Sequence, residues 1–65
     1  MPSNKIREVR FFEGISQWQV AIATGMSQTR VSLIERGYVS PSPNDKKKIA
    51  QVLKCDVGEI FPETK

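Results

Sequence analysis

From Ser16 to Gly37 the apolar positions fall in two short helical stripes separated by a break. Val20, Ala21 and Thr24 share one face of a first segment, and Val31 and Ile34 share one face of a second, at the three- and four-residue spacings of a helix. Gly25 lies between them, and glycine is the residue that takes positive φ without steric penalty where a helix must stop and restart. Ser16 and Ser27 stand at the two N-cap positions, and Gln19 completes a capping-box spacing with Ser16. Ala21 is small, and if the two helices cross near a right angle it lies beneath the crossing, where a larger side chain would push the second helix outward.

The flanking pattern adds three more helices. Ser3 is placed to cap a first helix from about Asn4 to Glu13, with Ile6 and Val9 facing inward and Gly14 ending it. Phe11 and Phe12 are neighbours, so they point about 100° apart and one of them is expected to be partly exposed. Ser42, Pro43 and Asp45 announce a fourth helix as N-cap, first helical residue and first-turn acid, running to Lys54 with Ile49, Ala50 and Leu53 as its inner stripe. Asp56 and Glu59 repeat an N-cap with an acid three residues on, which predicts a short fifth helix from about Val57 to Phe61, stopped by Pro62. Ile60 and Phe61 should close the core against the first helix, and the tail Glu63-Thr64-Lys65 should fray.

These landmarks carry a resemblance. Ala21 four residues after Gln17, Gly25 four after that, then Met26, Val31 and Ile34, is similar to the helix-turn-helix of the Cro and phage-repressor-like regulators, the xenobiotic-response-element family. Ile6 to Arg10, Gly14-Ile15-Ser16, Ile34-Glu35-Arg36-Gly37, Pro41, Ile49-Ala50, Leu53 and Glu59-Ile60-Phe61 follow in the family's order. The resemblance implies an all-α, compact five-helix fold over residues 1–65 as one DNA-binding domain, with the second helix of the motif, from Gln28 to about Arg36, in the major groove. Lys46 departs from the pattern, standing where an apolar residue is usual.

By the same resemblance Gln28, Thr29, Ser32 and Leu33 match base readers. Glutamine pairs bidentately with adenine, serine and threonine donate or accept, and leucine or a threonine methyl meets a thymine methyl. Ser27 and Arg30 match phosphate contacts, and Ser16, Gln17, Arg36, Tyr38 and Ser40 are further phosphate candidates. Gln17 opens its helix, where backbone N–H groups are free to hold an anion. The plain alternative for each is a solvated helix face. Tyr38 could equally pack with its hydroxyl wet, and Trp18 either packs on neighbours, the commoner outcome for tryptophan, or lies along the DNA backbone. Arg10 and Glu35 match a salt bridge tying the first helix to the third; without the resemblance they read as two unrelated surface charges.

Composition narrows the functional classes. Ten Lys and Arg against seven acids give a net charge of +3, and from Gly14 to Asn44 the only acid is Glu35. That favours a polyanionic partner, although the same window holds only Arg30 and Arg36 as cations, which leaves much of the docking to polar and backbone groups. Lys46, Lys47 and Lys48 form either a phosphate-facing edge or, more commonly, a solvated helix surface. With no histidine and one cysteine, a Cys/His metal site and an internal disulfide are excluded, and no cofactor is implied. Cys55 reads as a small apolar group. No apolar run approaches the length of a membrane span and no signal peptide is evident, so a cytoplasmic, nucleoid-associated protein is expected. The reading is a sequence-specific double-stranded DNA-binding transcriptional regulator or repressor of prokaryotic or phage type, a homodimer on a two-fold operator whose dimerisation is weak or cooperative with DNA binding, through the fourth and fifth helices and the loop between Val52 and Val57. A protein-interaction module of the same fold, antitoxin-like or co-activator-like, is the alternative; an enzyme finds no acid–base pair or phosphate loop to work with.

Overall fold

A computed structural model describes residues 4–62, and the expected cap at Ser3 and the tail from Glu63 lie outside them. Five helices follow in order: α1 (Ile6–Glu13), α2 (Gln17–Thr24), α3 (Gln28–Glu35), α4 (Pro43–Val52) and α5 (Val57–Ile60). No strand occurs among the described residues. α2 packs against both α3 and α4, and α4 carries α5.

Each boundary has a local cause. The Ser16 hydroxyl accepts from the Gln19 N–H at 3.0 Å while Gln19 Oε1 accepts from the Ser16 N–H at 2.7 Å, which closes the capping box of α2. Ser27 and Ser42 accept from the backbone N–H groups of Arg30 and Asp45, both at 3.1 Å. At the start of α5, Glu59 Oε1 accepts from the Asp56 N–H at 3.2 Å. Gly25 ends α2 with φ +76°, and Met26 N–H then reaches back to the Ala21 carbonyl at 3.1 Å, so the chain can turn into α3 within three residues.

Ile6, Val20, Val31, Ile34, Ile49, Leu53 and Ile60 are fully buried, with Ala21, Ala50 and Phe61 nearly so. Every helix therefore contributes to one core, and the stripes expected of α2, α3 and α4 are the ones that bury. Lys46, the departure from the apolar pattern, is half-buried and holds its ammonium 5.5 Å from the centre of the Phe61 ring.

The structure corrects the sequence reading at four places. α1 begins at Ile6, two residues later than expected, because Asn4 is used elsewhere: its amide donates to the Ile34 carbonyl at 2.9 Å and its Oδ1 accepts from the Ile6 N–H at 3.2 Å. α4 ends at Val52 rather than Lys54, which takes the left-handed conformation at φ +59° and turns the chain towards α5. Both Phe11 and Phe12 are exposed, since the inner face of α1 is filled by Ile6, Val9 and Arg10, while Phe11 lies beneath the guanidiniums of Arg7 and Arg10 at 5.6 and 5.4 Å. Trp18 is 57% exposed, against the expectation of packing, because Val20 and Ala21 hold the buried side of α2.

Candidate nucleic-acid interface

The outward face of α3 is positioned by its inward one. Val31 and Ile34, both fully buried, fix the rotation of the helix, and from them Gln28, Thr29 and Ser32 project to the other side. A second restraint holds the far end. The Arg10 guanidinium donates to Glu35 through Nε at 2.9 Å and Nη2 at 3.1 Å, and its Nη1 donates to the Ile15 carbonyl at 3.2 Å. The side chains are only 11% and 8% exposed, so this paired fork locks α1, the α1–α2 turn and the end of α3 together. Asn4 adds a third tie through the Ile34 carbonyl.

Gln17, Gln28, Thr29, Ser32 and Arg36 surround an open cleft of about 300 Å³ at the meeting of α2 and α3. Gln28 Nε2 lies 3.4 Å from Gln17 Oε1, which joins the first residues of the two helices. Both helix N-termini thus open on one side, with the free N–H groups that favour anions. The surface is polar and bears no exposed acid from α2 or α3, since Glu35 is consumed by Arg10. It can donate and accept hydrogen bonds without repelling a phosphate.

Of the residues expected to meet bases, Gln28, Thr29 and Ser32 share this cleft, whereas Leu33 does not line it and is half-buried. Of the phosphate candidates, Gln17 and Arg36 line it; Ser16 and Ser27 are exposed at the two helix starts with their hydroxyl oxygens engaged as caps. Tyr38 and Ser40 are exposed on the loop after α3, and the Arg36 guanidinium rests 5.3 Å from the centre of the Tyr38 ring. Arg30 faces elsewhere. Its Nη2 donates to Asp45 Oδ2 on α4 at 2.9 Å, and this contact holds the Asp45 carboxyl below its ordinary range.

Two features were not anticipated. In the sequence Asp45 is an acid favourable to the start of its own helix, and no spacing rule links it to Arg30 across 15 residues. Arg7, with Asn4, shares a second groove with Arg36 and Tyr38, placing an α1 cation next to the α3 loop. The helical period of Arg7 marks it as outward-facing but not as a neighbour of that loop.

Neither a metal cluster nor a membrane-spanning helix is found among the described residues. The family model described as "Helix-turn-helix" matches residues 6–60. Among curated proteins the chain is similar to the HTH-type transcriptional regulator PuuR of Escherichia coli (strain K12) and to the protein of the same name from Shigella flexneri, each 31% identical over 62 residues. Those 62 residues are 95% of this chain and 34% of each relative, so the chain spans about a third of the length of the curated relatives it matches.

Proposed function

The chain belongs to the XRE-type helix-turn-helix family, and on that premise we propose that it reads the major groove of double-stranded DNA with α3 as a sequence-specific transcriptional regulator, residues 1–65 forming one binding unit. The observation that carries the reading is the convergence of Gln17, Gln28, Thr29, Ser32 and Arg36 on one polar, acid-free cleft at two helix N-termini. Gln28, Thr29 and Ser32 meet base edges, where an amide and two hydroxyls supply paired donors and acceptors. Leu33, set back from the cleft, contributes an apolar contact at most. Gln17, Arg36 and the exposed Ser16, Ser27, Tyr38 and Ser40 hold the backbone on either side, and Arg30 joins them once released from Asp45. A homodimer on a two-fold operator, with half-sites about 34 Å apart, completes the arrangement and accounts for specificity that one half-site is too short to supply.

Selection from random duplex DNA tests the proposal. It should return a defined half-site whose preference at particular base pairs relaxes in Gln28→Ala and Thr29→Ala, each base contact being worth about 1–3 kcal/mol of discrimination. Arg36→Ala should weaken every duplex alike. A pool that never departs from random sequence would refute it.

A further inference from the structure

Resting on the DNA-binding reading above, we infer that Asp45 restrains the affinity of this surface by holding Arg30 away from the phosphate backbone. Three observations support this. First, the Arg30 guanidinium is committed to Asp45 at 2.9 Å and is absent from the lining of the α2–α3 cleft, although it lies next to Thr29, which lines it. Secondly, the holder is better fixed than the held: the Asp45 side chain is 19% exposed and sits in the first turn of α4 beneath the Ser42 cap, whereas Arg30 is 44% exposed on a long flexible stem. A carboxylate in a first helical turn is also stabilised by the helix dipole, so a negative charge is favoured where Asp45 stands.

Thirdly, the charge balance makes the contact matter. Between Gly14 and Asn44 the only cations are Arg30 and Arg36, and Glu35 is neutralised by Arg10. Bridging Arg30 to Asp45 cancels one of those two charges at any distance beyond the pair itself. The released arginine gains a phosphate only after the bridge opens, so its net contribution is the difference between two charge-assisted contacts. A duplex in poor register, unable to bring a phosphate within reach of Arg30, meets a neutral pair and is held less firmly. The acid thereby lowers sequence-independent attraction, which is the phosphate-driven part of binding.

The test is a double-mutant cycle on the full chain, read by fluorescence anisotropy with a selected operator duplex and a scrambled one at fixed ionic strength. Asp45→Asn should tighten both duplexes about two- to fivefold, the change that corresponds to losing an exposed ion pair. The same substitution in an Arg30→Gln background should have a much smaller effect. Arg30→Gln alone should weaken binding less than it does when Asp45 is Asn. Asp45→Ser, which removes the charge with another residue suited to a first helical turn, should repeat the result, and thermal melts confirm that each variant is folded at the assay temperature. Equal tightening with and without Arg30, or weaker binding by Asp45→Asn, would overturn the restraint while leaving the DNA-binding reading intact. Failure of the unaltered chain to bind any duplex at low salt would overturn both.

Discussion

Truncating one partner of the Arg10–Glu35 pair is expected to be among the most destabilising single changes in this chain. With three guanidinium hydrogen bonds and side chains about one-tenth exposed, Arg10 is buried only because Glu35 and the Ile15 carbonyl receive it. Arg10→Met removes the cation and leaves the Glu35 carboxylate, 8% exposed, without its two-pronged partner, a change that costs about 3–5 kcal/mol. At roughly 0.05–0.15 kcal/mol per residue, a chain of 65 residues holds about 3–10 kcal/mol in all. The single variant should therefore lose a third or more of its stability, and its melting temperature should fall by at least about 12 °C. Arg10→Met combined with Glu35→Leu removes both charges and fills the space with apolar volume. It should recover most of the loss, because the penalty lies in the orphaned charge rather than in the missing attraction. Urea melts followed by circular dichroism measure all four corners of the cycle. A single variant within about 1 kcal/mol of the parent, or a double variant losing the sum of the two singles, would refute the assignment of this pair as a desolvated tie.

Three further outcomes follow from particular residues. Lys54→Gly relieves a non-glycine residue held at φ +59° and should stabilise the chain by up to about 1 kcal/mol, seen as a higher urea midpoint with unchanged slope. Cys55 has its thiol pushed upwards by burial and by the nearby Glu59, Glu13 and Asp56 carboxylates. It should react with iodoacetamide more slowly than a free thiol at neutral pH, while the stability gained from keeping it protonated, present below the ordinary thiol pKa, is lost as pH rises through the folded value. Asp45 is depressed by the Arg30 hydrogen bond, so its contribution to stability is present above the unfolded carboxyl pKa and disappears as pH falls through the lower folded one; Arg30→Gln should shift its carboxyl titration, followed by NMR, back up towards the ordinary value.

The helices of the motif were legible because the signals are local. Ser16 with Gln19, Gly25, and Ser27 fix where α2 ends and α3 begins, and the Val20–Ala21 and Val31–Ile34 stripes fix which way each helix faces. The polar side of α3 follows from that rotation, which puts Gln28, Thr29 and Ser32 on one surface; Leu33, expected with them, is half-buried and off the cleft. What escaped the sequence is what depends on contacts between elements. Asn4 stays outside α1, whose N-cap is Lys5, because its amide donates to the Ile34 carbonyl, 30 residues away. Lys54 leaves its helix because the chain must turn so that Ile60 and Phe61 can reach the core. Trp18 and Phe12 stay outside because smaller side chains already fill the interior, and the amphipathic period alone does not reveal how large that interior is. The place of Arg30 in the motif marks it for a phosphate, and only the fold shows it paired with Asp45.

Under the proposed function, duplex DNA docks in the cleft between the starts of α2 and α3. Titrating the isotopically labelled chain with a selected operator duplex and following backbone amide and side-chain amide shifts by NMR tests it residue by residue. The largest changes are expected at Gln17, Gln28, Thr29, Ser32 and Arg36, with Gln28 Nε2 leaving Gln17 as it engages a base edge. Shifts confined instead to the groove lined by Phe12, Cys55 and Glu59, or no shifts at all at low ionic strength, would contradict it.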